Sequence, residues 1–248
     1  MIDYYKTTVG LLRKENLVWV PFIVFYILYD VIALYRYSGQ EGMFQLDFLF
    51  MFQHIVQYLV YGGLVFLVHE LTKDVVSLRS AFNSFKESVF SLFLCSLFGN
   101  FLLLLLYFLF SNGYNVFGSE DVALEGMPLV QLIALPFLMY SLVPVQAILN
   151  TIFIFKVVKN MTAWESFVCS FKSCFSHFFV CLRWFLYIMP VFFVQLLFLP
   201  IITSDLLVKH LLMSVLNGCA FTFITVFSYV YFKDNFMESR DLVKVPDH

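Results

Sequence analysis

The chain is predicted to be an all-α, polytopic membrane protein with six transmembrane helices and two amphipathic helices on the cytoplasmic face. Three observations predict it. Of 248 residues, 61% are hydrophobic and only 13% charged, with a mean hydropathy of +0.86, whereas soluble chains carry roughly 25% charge. The apolar residues gather into six stretches, each near the roughly 20 helical residues that cross a hydrocarbon core about 30 Å thick. The basic residues fall almost entirely on one side of the resulting map. A water-soluble globule would have to expose large apolar patches to accommodate 33 Phe and 14 Tyr. The same composition excludes a disordered chain and a disulfide scaffold. With 15 Lys and Arg against 17 acids, and a net charge of -2, there is no basic stripe for nucleic acid.

The spans lie near residues 17–35, 48–69, 89–110, 129–155, 178–202 and 210–232. Together, residues 1–232 form one membrane domain, followed by a short polar cytoplasmic tail at 233–248. Helices are expected because backbone polar groups in hydrocarbon must be satisfied within the segment, and the two-residue alternation of barrel strands is absent. The first apolar run follows Lys6, Arg13 and Lys14 and has no small-x-small cleavage site, so it reads as a retained helix and not a signal peptide.

Orientation follows from the bases. With the N-terminus inside, twelve of the fifteen basic residues are cytoplasmic, Arg36 and Lys209 lie outside, and Arg183 sits within a span. The outer loop at 111–127 carries Glu120, Asp121 and Glu125 and no base. The positive-inside rule therefore places both termini in the cytoplasm, and the expected location is a cell inner membrane. The five cysteines then lie in spans or in an inner loop, with no C-x-x-C pair, so neither a disulfide nor a metal is expected.

Two inner segments are more than connectors. In 75–89, Val75, Leu78, Phe82, Phe85 and Val89 recur at helical spacing between Arg79, Asn83, Lys86 and Glu87. In 163–178, Trp164, Phe167, Phe171, Phe175 and Phe178 do the same around Glu165, Ser170 and Lys172. Both are amphipathic patterns that fit helices lying in the headgroup layer before spans three and five. Ser84-Phe85-Lys86 also recurs as Ser170-Phe171-Lys172, which suggests a parallel duplication of a span, surface helix, span unit.

The run Ala163-Trp164-Glu165-Ser166-Phe167, continuing through Ser170-Phe171-Lys172-Ser173-Cys174-Phe175, resembles a broad group of bacterial six-helix integral membrane proteins of unknown function. That group includes the membrane domain attached to some glycerophosphodiester phosphodiesterases. The resemblance implies an inner-membrane location and brings no catalytic residues with it. Ser176 stands where members often have Asn.

Polar residues within spans are the candidate functional positions, because an intramembrane charge costs about 2.5 to 3.5 kcal/mol on insertion scales. Asp30 is too short to reach far toward water from span one, and His54 on span two lies at a similar depth. With Gln57 beside His54, and Asn100 on span three, these residues are read as an intramembrane polar network: an interhelical packing set, or a path for a proton or cation. Gln146 with Asn150 is read as interhelical glue. Arg183, near the inner end of span five, can snorkel to headgroups and is the candidate inner-interface contact. No phosphate loop, His-Glu-x-x-His or Gly-x-Ser-x-Gly motif is present, so neither enzymatic activity nor a cofactor is expected. The expected role is a non-enzymatic membrane protein acting through membrane lipids or a membrane protein partner. The alternative is a small transporter or permease with a polar path through the bundle. The sequence leaves oligomeric state open.

Overall fold

A computed structural model describes residues 2–37, 48–73, 85–102, 127–198 and 206–238. Among these residues the chain is all-helical. The helices are α1 (Ile2–Lys14), α2 (Val20–Tyr37), α3 (Phe48–Leu71), α4 (Phe85–Leu102), α5 (Met127–Lys159), α6 (Ala163–Ser176), α7 (Phe178–Phe198) and α8 (Leu206–Phe232). A 3-10 turn (Asn16–Trp19) precedes α2, and a π-helical turn (Lys233–Glu238) continues α8.

The predicted spans fall on α2, α3, α4, α5, α7 and α8. Among the described residues, Phe85–Leu102 and Leu211–Met237 are each long and apolar enough to cross a membrane. The bent pair Ala163–Ser176 and Phe178–Val191 adds a third such unit, and Val20–Tyr29 and Ile55–Leu71 are shorter apolar helices. The predicted surface helix at 75–89 falls mostly outside the described residues; its last part, from Phe85, already belongs to α4.

α5 is the central element. Its 33 residues run about 50 Å at ~1.5 Å per residue, and from Val143 to Phe155 every side chain except Gln146 is buried. A helix that is apolar all round is one surrounded by others, and α5 contacts α3, α6, α7 and α8. Two glycines mark points of close helix approach. A Cβ at Gly62 of α3 would lie 2.7 Å from the Phe153 ring of α5, and one at Gly218 would lie 2.6 Å from the Ile23 Cα of α2. Glycine at these points lets the helices approach closely.

α1 was not expected as an element. It docks against α8, burying Thr8 and Leu12. Tyr4 stacks edge-on against Tyr231 at 5.1 Å and donates its hydroxyl to Asp234. Tyr5 donates to the Tyr187 carbonyl and packs against Phe223 and Phe227. Burial first, then the Asp234 bond, raises the Tyr4 pKa above the ordinary phenol value, so the group stays a neutral donor. Asp3 in the first turn and Arg13 and Lys14 in the last complement the helix dipole.

Polar groups inside the helices mostly satisfy themselves. Asn100 donates to the Ser96 carbonyl at 2.8 Å and Asn150 to the Gln146 carbonyl at 2.6 Å. Thr151, Thr225 and Ser228 likewise bond to the carbonyl four residues back. For Asn150, expected with Gln146 to act as interhelical glue, the described bond closes within α5, on the carbonyl one turn back that short polar side chains in helices can use.

Candidate interfacial site at the α6–α7 elbow

The most sharply built local structure is the reversal from α5 into α6. Asn160 ends α5 with φ 52°, in the left-handed region that asparagine tolerates better than most residues. Two residues on, Thr162 is the N-cap of α6, with φ -64° and ψ 162°. The Glu165 N–H donates to the Thr162 hydroxyl at 3.3 Å, and the Thr162 N–H and hydroxyl each donate to the Glu165 carboxylate at 2.8 Å. This is a reciprocal capping box, which satisfies amides the helix start would otherwise leave open. Its signature was present in the sequence as Thr162-x-x-Glu165.

α6 has two faces. Ala163, Ser166, Ser170 and Cys174 recur every three or four residues and are buried, and α6 packs extensively on α5. Small residues allow that approach. Thr151 of α5 meets Cys174 at 3.6 Å between oxygen and sulfur. Trp164, Phe171 and Phe175 point outward and are exposed, with Phe171 and Phe175 rings 4.6 Å apart. Trp164 and Phe167 also touch Phe98 of α4. At His177 the chain then turns by 91° into α7, where Phe179 is 74% exposed. The amphipathic helix expected over 163–178 thus exists, ends at Ser176 and meets α7 at a right angle.

Hydrogen bonds from the Thr162 backbone N–H, then from its hydroxyl, hold the Glu165 carboxyl below the ordinary glutamate value. A lowered folded value means the ionised cap stabilises the helix above the unfolded pKa, and that stabilisation is lost as pH falls through the folded one. Carbon-13 NMR should find Glu165 titrating below an ordinary glutamate, and Thr162→Val, which keeps the backbone N–H but removes the hydroxyl, should bring it part of the way back up. An unchanged titration in that variant would show that the hydroxyl does not act on the carboxyl.

The residues expected to form an intramembrane network are distributed as follows. α2 and α3 are neighbours, as a meeting of Asp30 and His54 would require, but those two side chains lie outside the described residues. Gln57 donates to the Tyr26 hydroxyl at 3.1 Å, which joins α2 to α3. Asn100 is buried and bonds within its own helix. Beside it, a Cβ at Gly99 would meet Leu149 at 3.1 Å, so that side of α4 is closely packed. Arg183 lies on the exposed face of α7, in the same stretch as exposed Phe179 and Leu186. There its aliphatic stem can lie along an apolar surface while the guanidinium reaches outward.

Comparison with protein-family models, with curated proteins and with solved structures gave no match. Among the described residues there is no group of three His, Cys, Asp or Glu side chains placed to hold a metal ion.

Proposed function

We propose that the protein is a six-span integral membrane protein of a cell inner membrane, with both termini cytoplasmic, acting without catalysis through contacts with lipid or a membrane partner. One observation carries the reading: the helices wear stripes of exposed large apolar side chains. On α4, Phe90, Phe93, Leu97 and Phe101 are 72, 36, 38 and 63% exposed. These positions fall at spacings of three and four residues, which is one helical face. On α7, Phe179, Leu186 and Phe193 repeat every seventh residue and are likewise exposed. Contiguous surfaces of this kind are not left in water. Facing acyl chains, they carry no penalty.

The elbow fits the same reading. α6, with its aromatic outer face and Lys172 beside it, lies in the inner headgroup layer and α7 descends from it. The kinship suggested by residues 163–175 belongs to this proposal. The second amphipathic segment and the parallel duplication belong to it too.

Two measurements test it. In vesicles containing brominated phospholipids, part of the tryptophan fluorescence should be quenched most by bromines near the headgroup, and that part should vanish in Trp164→Phe. No quenching of the Trp164 share would overturn the interfacial placement. Separately, cysteines introduced at Glu120 and Lys172 in a cysteine-free background should react from opposite sides of intact membranes. Reaction from one side would overturn the six-span topology.

A further inference from the structure

Where α1, the end of α3 and the end of α8 meet, they enclose a cleft of about 500 Å³, within the size range of small-ligand sites. Three elements supply its polar groups. α1 contributes Asp3 and Thr7, the turn after α3 contributes Thr72, and α8 with its π-helical continuation contributes Tyr229, Lys233 and Asp234. Leu11 and Val230 give it an apolar side.

The floor is held in place. The Tyr229 hydroxyl shares a hydrogen bond with His69 Nδ1 at 2.8 Å and another with the Thr72 hydroxyl at 3.3 Å, and Thr72 is anchored by donating to the His69 carbonyl at 2.7 Å. The Lys233 ammonium sits 5.9 Å from the centre of the Tyr229 ring. Tyr4 donates to the Asp234 carboxylate, and Asn235 donates to the Tyr4 hydroxyl at 3.3 Å. A carboxylate has about four lone-pair sites, so the Tyr4 bond leaves Asp234 able to accept more. The wider π-helical turn that presents Lys233 and Asp234 is a form of helix found frequently at functional sites.

The cleft therefore offers two carboxylates, one ammonium and several hydroxyls around a single mixed cavity. We infer that it binds a phosphodiester carrying a primary ammonium, the head group of phosphatidylethanolamine. The phosphate lies against Lys233 and the Thr7 hydroxyl, and the ammonium donates to Asp3 and Asp234. The glycerol end leaves past Leu11 and Val230 toward the acyl region. A choline head group has the same charges but no N–H to donate, so the two carboxylates discriminate against it. This inference rests on the reading that α3 and α8 cross the membrane and end in its inner headgroup layer, where Lys14 and Lys73 also lie, the first bonded to the Leu71 carbonyl and the second to Glu70.

The test uses the full chain purified in mild detergent and titrated with phosphatidylethanolamine or phosphatidylcholine of identical acyl chains, bound lipid being counted by native mass spectrometry. Phosphatidylethanolamine should be retained about tenfold better, the scale of one charge-assisted hydrogen bond. Asp3→Asn, an exposed change in the first turn of α1, should reduce the preference, and Asp3→Asn with Asp234→Asn should erase it. Lys233→Gln should weaken both lipids, and Lys159→Gln, at the far end of α5, should change neither. Water-soluble glycerophosphoethanolamine should displace the lipid only at far higher concentration; tight binding of the soluble compound by itself would assign the same chemistry to a dissolved ligand. Equal retention of the two lipids, or a preference unchanged in Asp3→Asn, overturns the inference. Equal retention with Trp164 still quenched at headgroup depth removes the cleft alone, whereas an unquenched Trp164 removes the interfacial reading and leaves the soluble-ligand arm standing.

Discussion

Gly218→Ala should be among the most damaging single-atom additions in the molecule, costing about 3 kcal/mol, the upper end for overpacking. The added Cβ would lie 2.6 Å from the Ile23 Cα, 2.8 Å from its nitrogen and 2.8 Å from its Cγ1. Two of those three atoms are backbone, so no rotamer change relieves the clash and α2 must move away from α8. That contact is the most extensive helix pair described. Gly10→Ala is the internal control. It lies in α1 with nothing within 4 Å of an added Cβ, so it should stabilise by about 0.5 to 1 kcal/mol through helix propensity alone. Unfolding in mixed micelles with increasing denaturing detergent measures both. A Gly218→Ala protein as stable as the parent would mean that α2 and α8 do not cross at these residues.

Trp184→Ala is the second large effect, expected at about 3 to 5 kcal/mol as for other buried large-to-small changes. Trp184 is 1% exposed and its ring lies 5.2 Å from that of Phe232. Its indole N–H donates to the Ser228 hydroxyl at 2.9 Å, and that hydroxyl donates in turn to the Ile224 carbonyl at 2.6 Å. The chain of bonds ties α7 to α8 through one buried side chain. Removing the ring opens a cavity that α7 cannot close, since its neighbours Cys181 and Ile188 are themselves buried against other helices. Ser228→Ala should cost less, about 1 to 3 kcal/mol, because it keeps the ring packing and removes the hydroxyl that the indole N–H bonds to. Combined with Trp184→Phe, the serine change should add little, since the bond is then already gone. Additive losses in that pair would show that the hydrogen bond does not couple the two helices.

The helical class was legible because it depends on composition and on runs of apolar residues, both of which survive any rearrangement of contacts. The α6 elbow was legible for a similar reason. Trp164, Phe167, Phe171 and Phe175 mark a helix by spacing, and an amphipathic helix next to a fully apolar one must bend where the polar face ends. α1 was missed because three bases drew attention to its charge. The signal was there in Tyr4, Tyr5, Thr8, Leu11 and Leu12, which share a face and become its contact surface. The partners of the polar residues were not legible in that way. Gln57 reaches the Tyr26 hydroxyl on α2, whereas the described bonds of Asn100 and Asn150 close one turn back in their own helices, and the sequence does not say which of the two an amide will do. The cleft was invisible for a geometric reason. Asp3 and Asp234 stand at opposite ends of the chain, and only the fold brings them to one cavity.

The bond between Tyr4 and Asp234 joins residues 230 apart, and it sets an order of events during synthesis. At about 5 to 20 residues per second, the ribosome needs roughly 10 to 50 s to supply the second partner after the first. Until Tyr187 and then the later turns of α8 have been made, the aromatic side of α1 lacks the partners it has in the fold. The seat of the first helix is therefore completed only by the last one described.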